Sequence, residues 1–220
     1  KAITLEDIWK NGTFRTERLD RLHSMANGTE YAVQNFDRQT RVASVDIYNY
    51  ESGEKVRTVV STAEIDGLDY FISYTFSDDE QKVLLSTRLK SVYRRSTLGT
   101  YYVYDLQSKK LTKIPVEGIQ EPTFSPDASK VAYGKDNNLF IFDIATEKTQ
   151  QITSNGKKNH IINGITDWVY EEEFAFVRAF DWSADGKRLA YIRFDETDVP
   201  EFSMDVYGGE LYQTQQVFKY

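Results

Sequence analysis

The chain has 220 residues, a formal net charge of −7 and no cysteine, which excludes a disulfide framework, a thiolate metal site and a thiol nucleophile. Aromatic residues make up 14% of it, with 15 Tyr and 13 Phe, a composition suited to rings packed on pleated sheets. Its basic pairs, Lys109-Lys110 and Lys157-Lys158, are too short to track a phosphate backbone, so nucleic acid is not an expected partner; no apolar run approaches the roughly 20 residues of a membrane-spanning helix.

Lys1 is not an initiator Met, and the natural start of the protein is expected to be missing. Two Asn-Gly-Thr sequons, at Asn11 and Asn27, read as turns. His23 and His160 lie in unrelated contexts; neither is expected to hold a metal or to belong to a catalytic triad. From residue 24 onward a weak repeat organises the chain. Phe76-Ser77-Asp78-Asp79, Phe124-Ser125-Pro126-Asp127 and Trp182-Ser183-Ala184-Asp185 each precede an apolar strand that begins seven residues after the aromatic. Ser24-Met25-Ala26-Asn27 is a degenerate copy. Ser and Asp suit such turns because their side chains bond nearby backbone.

A further strand pair follows each copy. Val45–Tyr50 leads to 56–59, Tyr101–Leu106 to 111–114, and Leu139–Ile144 to Gln151-Ile152, while Met204–Tyr207 opens another pair. The repeated aromatics are 48 and then 58 residues apart. Four short strands per period predict an all-β fold, a partial β-propeller of about four blades, in preference to a β-sandwich.

The excess in the longer period contains Ile165-Thr166-Asp167-Trp168-Val169-Tyr170-Glu171-Glu172-Glu173-Phe174. Three adjacent carboxylates are walled by aromatics, which are seldom fully exposed; the competing reading is a plain solvated acidic turn. Thr166 or Asp167 is placed to cap a short helical insertion. On a helix Glu172 and Glu173 share a sector and Glu171 points elsewhere; on a strand Glu171 and Glu173 share a face.

This string resembles the signature of the dipeptidyl peptidase IV family of prolyl oligopeptidase-like serine peptidases. Thr4-Leu5 with Asp7 and Lys10–Arg15, and Asp195-Glu196-Thr197-Asp198-Val199-Pro200, are similar to segments flanking that signature, in the same order. The resemblance implies a lead-in segment over 1–16 and an incomplete propeller over 17–220, cut from an eight-bladed ring. A C-terminal α/β-hydrolase domain carrying the Ser-Asp-His triad would lie outside this chain. No Gly-x-Ser-x-Gly turn occurs here, so the chain alone is expected to be inactive.

It further implies that Glu172 and Glu173 bind the free α-amine of a peptide. Arg94, in Tyr93-Arg94-Arg95-Ser96, would contact a substrate carbonyl, with Arg95 as the competing register. The expected partners are peptides with a free N-terminus and a penultimate Pro or Ala, the hydrolase domain, and a second copy in a homodimer. No cofactor is expected. The full protein would be a bacterial enzyme of the periplasm or cell surface that releases Xaa-Pro, and also Xaa-Ala, dipeptides. The alternatives are a non-catalytic propeller for protein or glycan binding, and an inactive relative of the family.

Overall fold

The computed structural model describes residues 2–16, 22–209 and 211–220. It falls into two compact units, Lys1–Glu64 and Ile65–Tyr220.

The first unit opens with α1 (Leu5–Trp9), capped reciprocally. The Thr4 hydroxyl accepts the Asp7 N–H at 3.1 Å, and the Asp7 carboxylate accepts the Thr4 N–H at 3.2 Å. The expected boundary between lead-in and propeller, 16/17, borders residues 17–21, which lie outside the described residues. One antiparallel sheet follows, in the order β1 (His23–Ser24), β2 (Glu30–Phe36), β3 (Ala43–Asn49) and β4 (Lys55–Ser61). Asn27 closes its first turn, its side-chain oxygen accepting the N–H groups of Thr29 and Glu30 at 3.0 and 3.1 Å, with Gly28 at φ 69°.

The second unit holds two more four-stranded meanders. One is β5 (Ser73–Phe76), β6 (Lys82–Ser91), β7 (Thr97–Asp105) and β8 (Leu111–Lys113); the other is β9 (Gln120–Phe124), β10 (Lys130–Lys135), β11 (Asn138–Asp143) and β12 (Lys148–Gln151). Beyond them come β13 (Ile161–Asn163), α2 (Trp168–Phe174), β14 (Phe180–Trp182), β15 (Leu189–Tyr191) and β16 (Arg193–Asp195), in which β13 pairs with β16 and β14 with β15. A hairpin of β17 (Glu201–Val206) and β18 (Thr214–Lys219) completes the unit. The fold is therefore all-β, a partial propeller with one short helical insertion. The degenerate repeat copy opens a complete four-stranded sheet, whereas the well-kept copy at Trp182 belongs to strands that form two separate pairs, with α2 lying between β13 and β14 along the chain.

The β9–β12 sheet shows why its sequence is apolar on both sides. Val131 and Tyr133 of β10, with Phe142 of β11, pack on one face against Leu84, Val103, Ile114 and Ile119. The alternate residues Ala132 and Leu139 pack on the other face against Ile162, Ile165, Val177 and Phe180. Each fully buried Val, Leu or Phe side chain contributes about 1.5–3 kcal/mol. This face-to-face stacking of short meanders is the packing of propeller blades.

The repeated turn recurs in the three well-kept copies. Ser77, Ser125 and Ser183 each donate a hydroxyl to Asp79, Asp127 and Asp185 at 2.6 Å. Each of those hydroxyls accepts, at 3.0 Å, the N–H of the residue five positions on. The Asp oxygen then accepts an N–H two residues beyond itself, at 3.0–3.1 Å. Ser125 and Ser183 are thus spent on turn structure.

Ser125→Ala should cost about 1–3 kcal/mol in denaturant unfolding, since the Lys130 N–H loses its acceptor beside a buried side chain. Hydrogen bonds from Ser125 and Ser129 hold the Asp127 carboxyl down to about 2. A depressed carboxyl stabilises the fold above its unfolded value, near 4, and loses that contribution as pH falls through about 2. Asp127→Asn should therefore flatten the melting temperature between pH 4 and 2; an unchanged slope would remove Asp127 from the acid response.

Candidate functional site

The acidic segment is seated on the blade beneath it. A Cβ at Gly134 would lie 2.5 Å from Ile165 Cγ1, so the bare glycine of β10 makes room for the residue that begins the insertion. Ile165 bridges to Arg178. Thr166 N–H donates to the Val177 carbonyl at 3.0 Å, and its hydroxyl to the Phe176 carbonyl at 3.1 Å. These bonds close the neck of a loop that contains α2.

Asp167 is the N-cap, accepting the Tyr170 N–H at 2.8 Å. The helix ends at Ala175 in the left-handed region, φ 60°. Aromatic contacts hold it on two sides. Trp168 lies 4.5 Å from Phe218 and 5.7 Å from Tyr220 between ring centroids. Tyr170 meets Phe174 at 5.1 Å and Phe194 at 5.0 Å.

Helical geometry then separates the three glutamates as a rotation of about 100° per residue requires. Glu171 is 1% exposed and turned inward. Glu172 is half-buried and Glu173 is exposed. Arg94 Nε stands 3.1 Å from Glu172 Oε2, with side-chain exposures of 73% and 20%. Arg95 donates only its backbone N–H to this cluster, at 2.6 Å to Glu171 Oε1, and Ser96 N–H joins it at 2.9 Å. Glu173 enters no ion pair among the described residues. The structure thus brings Glu172 and Arg94 together, places Glu173 next along the same helix, and leaves the Arg95 guanidinium out of the pair.

Sequence reasoning gave no role to two neighbouring carboxyls. Glu121, at φ 50° in β9, has its carboxyl raised by burial, opposed by Arg178 and reinforced by the charge of Glu171. Nothing in Gln120-Glu121-Pro122 announces that the carboxyl is buried. Glu196 is 6% exposed and lines a cavity of about 460 Å³ with Tyr93, Asp167, Trp168 and Phe218. Burial pushes its carboxyl up to about 7, the charge of Asp167 adding to the effect and Lys219 opposing it. Its place in the Asp195–Pro200 string was the available signal.

Known proteins resemble the chain along most of its length. The profile described as "Dipeptidyl peptidase IV (DPP IV) N-terminal region" matches residues 77–220. Human "Prolyl endopeptidase FAP" is 36% identical over 216 residues, covering 96% of this chain and 27% of that protein. Pig "Dipeptidyl peptidase 4" is 35% identical over 172 residues, 76% of this chain and 22% of that protein. The crystal structure of Porphyromonas gingivalis dipeptidyl peptidase 4 superposes with a TM-score of 0.89 at 35% identity, over 100% of this chain and 31% of that one. The chain therefore spans less than a third of each of these proteins.

Because Glu196 keeps its proton to about 7 in the folded state but only to about 4.3 unfolded, the folded state binds more protons across that interval. Stability from this group accordingly falls as pH rises from about 4.5 to 7 and is level above. Glu196→Gln should melt higher than the parent by a margin that is larger at pH 8 than at pH 5. An equal margin at both pH values would show that Glu196 does not titrate there.

Proposed function

The chain belongs to the dipeptidyl peptidase IV family, as part of its N-terminal propeller region, and from that premise we propose that it anchors substrate in a serine dipeptidyl peptidase releasing Xaa-Pro and Xaa-Ala dipeptides. The observation that carries this reading is the Arg94–Glu172 pair at 3.1 Å, whose glutamate sits on a helix that also carries Glu173. A free α-amine is the one cation common to every peptide N-terminus, and much of it is protonated near neutral pH. Glu172 and Glu173 accept its N–H donors and balance its charge, through bonds of about 1.5–3 kcal/mol each. Arg94 contributes a planar, permanently charged donor for the neighbouring carbonyl.

With the amine fixed, an extended chain advances about 3.3–3.6 Å per residue. A nucleophile held two residues away then reaches only the second peptide bond. The glutamates measure length and perform no bond chemistry, a positioning role. On this reading the nucleophile, its base and the proline pocket are supplied by a C-terminal hydrolase domain. The working assembly is a homodimer at the periplasm or cell surface, and the proposed boundary between lead-in and propeller is at residue 16/17.

In the complete peptidase, Glu172→Ala and Glu173→Ala should each lower kcat/KM on Xaa-Pro substrates by two orders of magnitude or more, since removing one partner of a desolvated charge pair costs on the order of 3–5 kcal/mol. Arg94→Ala should cost roughly 1.5–3 kcal/mol of transition-state binding, and Arg95→Ala much less. N-acetylation of the substrate should reproduce the glutamate losses in the parent enzyme and add little in the variants. If the parent cleaves acetylated and free substrates equally well, the acidic helix is not an amine anchor and the dipeptidyl reading fails.

A further inference from the structure

Glu171 is the one member of the acidic run that the amine-anchoring reading does not use, yet it is the most deeply buried. Its Oε1 accepts two backbone N–H groups, from Arg95 at 2.6 Å and Ser96 at 2.9 Å. Those donors are 76 and 75 residues away in sequence, on the tip of the β6–β7 hairpin. Among the described residues no cation forms an ion pair with Glu171, so these two N–H groups are what compensates its charge. A buried carboxylate deprived of such donors is strongly unfavourable; the hairpin tip therefore has one position relative to α2.

The tip has little else to fix it there. The β6–β7 ladder shifts register between Thr87 and Lys90, with Arg88 at φ 52°. Beyond that, Val92 and Tyr93 donate backbone N–H groups to Ser96 within the tip itself, and the Tyr93 ring meets Phe218 at 5.9 Å. The Arg94–Glu172 pair cannot hold the tip in place, because an ion pair whose guanidinium is 73% exposed is weak in water. Glu171 is bonded to Glu172 along the helix, and Arg95 is bonded to Arg94 along the hairpin. Pinning Glu171 to Arg95 and Ser96 thus fixes the gap between their outward-facing neighbours.

We propose that Glu171 is a positioning residue for substrate binding: its buried carboxylate clamps the hairpin tip so that Arg94 and Glu172 stand at the separation a peptide N-terminus requires. This rests on the reading of Arg94 and Glu172 as substrate contacts, and it acts entirely through Arg94.

The test is a double-mutant cycle in the complete peptidase, measuring kcat/KM on a free Xaa-Pro chromogenic substrate alongside the melting temperature. Glu171→Ala should lower kcat/KM about tenfold or more, mostly through KM. Glu171→Gln, which keeps an oxygen acceptor, should recover most of that loss. In an Arg94→Ala background, Glu171→Ala should cost less than about twofold further. A merely stabilising role would shift melting in both backgrounds and leave the kinetic penalties multiplicative; that outcome overturns the proposal. Should Glu171→Ala fail to fold, Glu171→Asp, which withdraws the carboxylate by one methylene, completes the same cycle with the same criteria. If Arg94→Ala alone leaves kcat/KM unchanged, the reading of Arg94 beneath the proposal is what fails.

Discussion

A sheet with apolar side chains on both faces must be covered on both faces, and the β9–β12 meander is built to that constraint. Val131 and Tyr133 alternate with Ala132, so adjacent residues of one strand belong to different cores. The strand is short and nearly all of it is interior. Its neighbours on either side are therefore obligatory, and the material of the divided last sheet serves as cover for Ala132 and Leu139. The acidic helix inherits its location from this. It grows out of Ile165, a residue whose own side chain belongs to that cover.

Much of the architecture was legible because it is written in short-range chemistry. The Ser–Asp turns act within five residues, so Phe76, Phe124 and Trp182 mark strand pairs correctly. A cap at Thr166 or Asp167 is readable for the same reason, the structure choosing Asp167, and the helical rotation that separates Glu171 from Glu172 follows from its position. What stayed hidden was long-range. Nothing near Glu171 announces that its partners are Arg95 and Ser96, and an inward-turned glutamate looks the same in sequence as one turned to water. Likewise the pairing of β13 with β16, across the helix and the β14–β15 hairpin, leaves no local trace. One of the three well-kept turns sits in the divided sheet, because turn chemistry and sheet completeness are specified by different residues.

The charges of the site are graded by depth. Glu171 sits fully inside and is matched by backbone dipoles alone; Glu172 lies at the boundary and faces a guanidinium; Glu173 stands in water. Around them Glu121 and Glu196 carry carboxyls raised by burial. Three adjacent acids on one short segment are tolerable because each is solvated by a different medium: peptide groups, an arginine, or water.

The closed neck at Ile165 and Arg178 has a consequence for how such a chain can change. Because Thr166 bonds back to Phe176 and Val177, the path of the chain into and out of the excursion is settled before α2 begins. The register of the strands beneath is therefore set by residues outside 167–175, which leaves that segment to be shaped by its own contacts. The insertion is in effect a cartridge: its contents answer to what they contact, and its socket, the glycine at 134 and the strand ends around it, answers to the blade beneath. Change inside the cartridge should accordingly register first in what it contacts, at Glu172 and Glu173, and change at its rim in the folding of the blade, while the one inward glutamate, reaching out to a distant hairpin, belongs to both.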